Sequence, residues 1–292
     1  MVSHWVLFDN RIWNVVGSLA MVEALYRSGR VKYSEDLLEN LISHFVEKNK
    51  FIPNYKEKHL IAKKVKPAFS VSFKDTLELF LNLMYPLGLK PFLAFGTLLG
   101  HERNKGFIPW DLDIDLGIID DNIDFNLLVS VLKKSPFKIL KCSHSTVPFK
   151  IKCRLKGGPV VELVLFVKQG EHFITYSEIF GEVVERKRCS FALKKSTMEG
   201  VSVYVPANAT RFLEENYGDW RNPRSIHHFL FDSQLTDFNS PLVRVCAKKY
   251  FFELLSNGDQ KKCRHYLTLF KTKYPEEKFW KKIGNKLTQQ LK

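Results

Sequence analysis

Three acids fall at alternate positions in GFIPWDLDIDLGI, residues 106–118: Asp111, Asp113 and Asp115. In an extended strand successive side chains point to opposite faces. The acids and Gly117 therefore share one face, while Leu112, Ile114, Leu116 and Ile118 take the other. Like charges on one face repel, and each costs free energy to hold near an apolar core. A divalent cation removes that penalty, because hard cations take oxygen ligands. The same spacing also describes an acidic edge strand in water, so the neighbouring residues have to decide.

Upstream, PFLAF (91–95) reads as a short buried strand ended by Gly96, and G-T-L-L-G-H-E-R (96–103) as a turn into a helix. Glycine at such a turn lets backbone N–H groups approach a phosphate at the helix N-terminus. Thr97 adds a hydroxyl there, and Arg103 a bidentate donor to phosphate oxygens. Glycine is equally the ordinary turn residue. Downstream, Glu162 interrupts the apolar run VVELVLFV (160–167). An unpaired glutamate is costly inside a buried strand, so it demands a partner or a solvent-facing edge. Lys150, Lys152 and Arg154 alternate on a further strand, where they either meet phosphate or form a solvated face.

These residues need a sheet to hold them. Residues 72–85 read as a helix capped by Ser72, with Asp75 at its third position, and 124–134 as another helix. FKIKCRL (149–155), VVELVLFV, HFITYS (172–177) and VSVYVP (201–206) are rich in strand-forming types, with Gly157-Gly158 as a hairpin turn. Residues 208–216 resume a helix. Helical periodicity also marks 13–26, 34–48 (capped by Ser34), 241–256, 259–272 and 276–291. An α+β fold results, a mixed sheet flanked by helices with helical N- and C-terminal segments. The expected division is an N-terminal helical segment (1–68), a catalytic domain (69–235) and a basic helical C-terminal segment (236–292).

With 45% hydrophobic and 26% charged residues the 292-residue chain has globular composition, which excludes disorder as the default. Its five cysteines include no C-x-x-C pair, so neither a zinc knuckle nor a disulfide framework is indicated, and a reducing compartment is expected. His227-His228 lacks the Cys/His spacing of a zinc site. The N-terminal 25 residues lack a basic leader and are interrupted by Asp9 and Arg11, which makes a poor signal peptide and too short a membrane span. The net charge of +14 sits in the flanks: residues 241–292 carry 13 Lys/Arg against four Asp/Glu, and 46–68 carry seven Lys against two Glu. Nucleic acid, an anionic membrane or an acidic glycan can each attract such charge. The final helix gathers Phe279, Trp280, Ile283, Leu287 and Leu291 beside lysines, the pattern of an interfacial membrane helix or of a lysine-rimmed helix packed on its own domain.

Strand, Gly-Thr turn, helix and D-x-D strand together resemble nucleotidyltransferase-fold enzymes. More specifically, G-T-L-L-G-x-x-R-x-x-G-F-I-P-W-D-x-D-I-D (96–115) resembles the signature of the LicD/fukutin family of phosphotransferases. VYVPANATRFLEENYGDWRNP (203–223) resembles that family's closing motif, and the resemblance spans about residues 90–225. It implies transfer of a phospho-alcohol group (ribitol phosphate, glycerol phosphate or phosphocholine) from a CDP-linked donor to a hydroxyl of a cell-surface glycan or its lipid-linked precursor. It implies Mg²⁺ or Mn²⁺ held by Asp113 and Asp115, with Glu162 as third carboxylate. Asp111 is then general base or ligand to a second ion. Gly96, Thr97, Arg103 and Lys152 are the candidate phosphate contacts. Phe107, Pro109 and Trp110 would shape the loop and pocket wall, and Tyr217, Gly218 and Trp220 would pack beneath the site. Leu112 departs from the frequent W-D-D-D-x-D form, but alternation turns it to the opposite face. The alternative is a nucleotidyltransferase adding a nucleotide to RNA, protein or a small molecule. On the preferred reading no nucleic acid partner is expected, and the protein is cytoplasmic, with peripheral membrane contact through the basic C-terminus.

Overall fold

The computed structural model describes residues 11–47, 69–120, 123–144, 148–179 and 182–290. The lysine-rich connection and the first ten residues lie outside these. In chain order the elements are α1 (Arg11–Arg27), α2 (Val31–Glu47), α3 (Phe73–Met84), β1 (Phe92–Leu93), α4 (Phe95–Asn104), β2 (Asp113–Asp120) and α5 (Phe125–Lys134). Then follow β3 (Phe137–His144), β4 (Pro148–Leu155), β5 (Val160–Gln169), β6 (His172–Ile179), β7 (Glu182–Cys189), β8 (Leu193–Met198) and β9 (Val201–Pro206). The chain closes with α6 (Ala209–Tyr217), α7 (Pro241–Ser256), α8 (Gln260–Lys273) and α9 (Lys278–Gln290). It divides into two compact units, residues 66–235 and the combination of residues 1–65 with 236–292.

In the 66–235 unit the described strands form one mixed sheet in the order β3-β4-β5-β2-β1-β9-β8, with β6 pairing the far end of β5 and β7 pairing β6. β2 runs parallel to β5, and β1 parallel to β9; the other pairings are antiparallel. The alternation read from sequence holds: Ile114, Leu116 and Ile118 are buried in the main core with Val161, Leu163 and Leu165 of β5. Each strand thus drives an apolar face inward and fixes which residues stand on the other. Gly157, with φ 81°, turns β4 into β5 as expected. The Ser72 hydroxyl caps α3 by accepting the Asp75 N–H at 3.0 Å. Asp124 caps α5 through Asn126 and Leu127. The expected strand 91–95 shrinks to two residues, because α4 already begins at Phe95.

In the other unit α2 starts three residues before the expected Ser34 cap. Gly29 takes a left-handed φ of 76° and ends α1, so the new helix begins directly after it. Ser34 is buried and donates to the Val31 carbonyl at 2.6 Å. Lys248, also buried, lies among Glu35, Glu39 and Glu277. The apolar stripe of α9 is covered within this unit: Trp280 is fully buried against Phe251 and Phe270, and Ile283 and Leu287 are buried too. The packed-helix reading therefore describes α9 at Trp280, Ile283 and Leu287; Phe279 is half-buried, and Leu291 lies outside the described residues. Among the described residues no helix is long and apolar enough to cross a membrane.

Candidate active site

The parallel register of β2 and β5 sets Asp115 directly opposite Glu162, and the antiparallel register of β4 and β5 sets Lys152 opposite Glu162. One lateral row of three strands thus carries two acids and a lysine, with Asp113 two residues back on the same face. Carboxylate oxygens of Asp113, Asp115 and Glu162 all lie within 4.8 Å of one another. Gly117 completes this face. A Cβ there would meet the rings of Phe92 at 2.3 Å and Phe166 at 2.7 Å, so its absence lets two aromatic rings close over the sheet beside the acids.

Gly96 and Thr97, expected at a phosphate, are engaged with Asp115. The Gly96 N–H donates to Asp115 Oδ2 at 2.9 Å, and the Asp115 N–H donates to the Thr97 hydroxyl at 2.8 Å. The Ala94 N–H donates to the Asp115 carbonyl at 3.1 Å. A Cβ on Gly96 would stand 3.0 Å from Asp111 Oδ2 and 3.1 Å from Asp115 Oδ2, so glycine is what allows both acids to crowd the turn. The preceding residue carries strain: Phe95 has φ 41°, a region that bulky residues rarely enter. Asp111 precedes β2, and its Oδ1 accepts the Leu112 N–H at 3.0 Å.

Electrostatics separates the two facing acids. Burial pushes the Asp115 carboxyl well above the usual range, and the charges of Asp113, Glu162 and Asp111 push it further; the Gly96 N–H opposes them. Burial also pushes Glu162 up, but two ammonium groups outweigh it and its pKa falls below the ordinary value. Lys150 Nζ lies 2.5 Å from Glu162 Oε1, and Lys152 pairs with Oε2. The Glu162 side chain is only 12% exposed, so the partner that the apolar run demanded is a lysine pair from β4. Three hard oxygen donors converging where one of them is buried among like charges form a cluster that can hold a hard divalent cation.

Arg103 is held by backbone carbonyls. Its guanidinium donates to the Trp220 carbonyl through Nε and Nη2, and to the Asn222 carbonyl at 3.4 Å, tying α4 to the loop after α6. Gly218, with φ 63°, ends α6, and Trp220 is buried. Trp110 is 72% exposed, whereas Phe107 packs on Phe73 with ring centroids 5.1 Å apart. The resemblance gives Tyr217 only a packing role. Its hydroxyl is pushed far up, first by burial and then by Asp115 and Asp111, which brings it into the electrostatic field of the acids. Periodicity alone places such a tyrosine in a core; the packing of α6 on α4, whose first turn holds Asp115, gives it a second neighbourhood.

Residues 88–208 match the nucleotidyltransferase domain described as LicD/FKTN/FKRP. An uncharacterised protein of Rickettsia typhi is 28% identical over 170 residues, 56% of this chain and 51% of the relative. The human protein named ribitol-5-phosphate transferase FKTN is 26% identical over 164 residues, 53% of this chain and 34% of its own length. The chain thus spans about half of the rickettsial relative and about a third of the human one. The matched stretch contains the acid row, the Gly96-Thr97 turn and the β4 lysines, so the part of the chain that holds the candidate site is the part similar to the LicD/FKTN/FKRP nucleotidyltransferase domain.

Proposed function

We propose that the protein transfers a phospho-alcohol group from a CDP-linked donor to a glycan hydroxyl. The observation that carries this reading is the convergence of Asp113, Asp115 and Glu162 within 4.8 Å on one sheet face, inside the matched family domain. The human relative's name supplies the reaction class, with ribitol phosphate as the group moved. Asp113, Asp115 and Glu162 would hold Mg²⁺ or Mn²⁺, which when bound would offset negative charge on the diphosphate and on the departing CMP. Lys150 and Lys152 keep Glu162 ionised and oriented. Asp111, beside Asp115 at the Gly96 turn, takes the proton of the acceptor hydroxyl as its oxygen bonds to phosphorus. The bond from that phosphorus to the CMP oxygen breaks in line, and the leaving phosphate carries the electron pair. Tyr217 and the Phe92 and Phe166 rings exclude water from this side. Exposed lysines of α9, such as Lys281 and Lys282, remain available for salt-sensitive attachment to an anionic surface.

The test is a panel of CDP-alcohols, with Mg²⁺ or Mn²⁺ and a glycan acceptor. CMP release with transfer of the alcohol phosphate is expected, abolished by EDTA and by Asp113→Asn. Pyrophosphate release from a nucleoside triphosphate, with no CMP from any CDP-alcohol, would overturn the reading in favour of nucleotidyl transfer.

A further inference from the structure

β7 reads EVVERKRC, and its two buried positions are arginines. Arg188 is 2% exposed and Arg186 7%. They stand two residues apart on one strand face, about 7 Å from each other along the chain. Arg188 lies over the rings of Phe212, Phe166 and Phe95, at 4.5, 5.2 and 5.7 Å. Arg186 lies over Phe229 at 5.2 Å. Their hydrogen bonds are few: Arg186 Nη1 donates to the Phe229 carbonyl at 3.2 Å, and Arg188 Nη2 to Asn216 Oδ1 at 3.4 Å. Buried Nε and Nη2 of Arg186, and Nε and Nη1 of Arg188, have no protein partner. Among the described residues neither guanidinium is in an ion pair; the Glu215 carboxylate, which Arg188 feels, pairs with Arg211.

Two adjacent buried cations with no carboxylate in direct contact are an arrangement that folding resists. Aromatic faces attract each cation but supply neither a counter-ion nor an acceptor for its N–H groups. Burial lowers both pKa values to about 10, which still leaves both charged at neutral pH. Water can satisfy the orphaned N–H groups; it cannot neutralise two like charges. The geometry of the orphans is specific. Nε and Nη2 of Arg186 form one edge of the guanidinium plane, the fork that grips two oxygens of an oxyanion. Arg188 adds two more donors from the next position on the same face. A flat carboxylate fills one fork, whereas a tetrahedral oxyanion has oxygens for two.

We propose that Arg186 and Arg188 form a binding site for a tetrahedral oxyanion, phosphate in chemical class, between β7, the end of α6 and the Phe229 loop. The site shares a sheet face with the acids: Phe166, under Arg188, follows Glu162 by four residues on β5 and points the same way. It does not depend on the phosphotransferase reading, and its occupant is either free phosphate or a phosphate of a nucleotide donor.

The experiment titrates inorganic phosphate into the full-length protein in EDTA, at constant ionic strength set with chloride, reading melting temperature and binding of labelled phosphate. Saturable stabilisation is expected for the parent and for Asp113→Asn. Arg186→Lys keeps the charge but loses the fork, and should weaken phosphate binding on the order of ten-fold or more. Arg186→Met and Arg188→Met should lose the response while melting no lower than the parent in phosphate-free buffer, because the uncompensated charge is gone. Competition of CDP for labelled phosphate assigns the site to the nucleotide; lack of competition assigns it to a separate oxyanion. The proposal is overturned if the parent binds no phosphate saturably, or if Arg186→Lys binds it as well as the parent. It is likewise overturned if both methionine variants lose the same stability with and without phosphate, which is the result expected of arginines that only pack.

Discussion

At the scale of single residues, two carboxylates face each other across a strand pair and obey opposite rules. The surroundings of Glu162 favour its charge, through Lys150 and Lys152, whereas those of Asp115 disfavour it, through burial and three acids. In EDTA, Asp115→Asn should therefore be at least as stable as the parent, because the amide oxygen still accepts the Gly96 N–H and the repulsion falls. Glu162→Gln should be less stable by about 1–2 kcal/mol, since two lysines lose an ionised partner. Both should lower turnover roughly 10²-fold or more. Denaturant midpoints beside initial rates check the pair, and equal stability losses in the two variants would refute the charge asymmetry. The acids were legible from spacing alone. The lysines as partners of Glu162 were not, because strand periodicity gives a face but not the neighbour across it.

At the scale of elements, Arg103 links α4 to the loop that follows α6. Lysine at this position loses the Nε donor and the planar fork that hold the Trp220 carbonyl. Arg103→Lys should cost about 1–2 kcal/mol of stability and reduce kcat through displaced Tyr217, while KM for the donor holds. A raised KM with unchanged kcat and stability would instead put Arg103 on the substrate. The sequence motif joined these two segments without saying how, since a carbonyl carries no side-chain signature. β7 and β8 escaped strand-by-strand reading for a physical reason. The outward positions of LKKSTM are charged, and the buried positions of β7 are Arg186 and Arg188, so polarity alternation is inverted where burial is greatest. The α3 cap, in contrast, was readable because a Ser side chain performs the capping itself.

At the scale of the whole molecule, charge and burial bear on stability against acid. His228 Nδ1 accepts the Leu230 N–H at 3.2 Å, which requires that nitrogen to be unprotonated. Burial lowers the pKa of this imidazole to about 4; Asp232 opposes the shift, and His227 and Arg186 add to it. The folded pKa lies below the unfolded value near 6.5, so between the two the unfolded chain binds a proton that the folded chain refuses. Stability is then fully present above pH 6.5 and falls by about 1–3 kcal/mol as the pH drops to 4. His228→Asn keeps an acceptor without titrating, so urea unfolding of the full chain should converge with the parent toward pH 4. Parallel profiles for the two proteins would contradict this. The charge excess of the last 52 residues was plain from composition. That their apolar stripe is buried was not, because amphipathicity describes a face and leaves its cover open.

The reciprocal bonds between the Gly96 turn and Asp115 make the site its own isotopic clock. The Gly96 N–H rests on the Asp115 carboxylate and the Asp115 N–H on the Thr97 hydroxyl, so neither amide reaches deuterated solvent until turn and strand part. Both amides should report one common opening free energy, set by a single opening event. A ligand that stiffens the carboxylates slows the two together, so deuterium uptake at these positions reports occupancy of the centre with no substrate present.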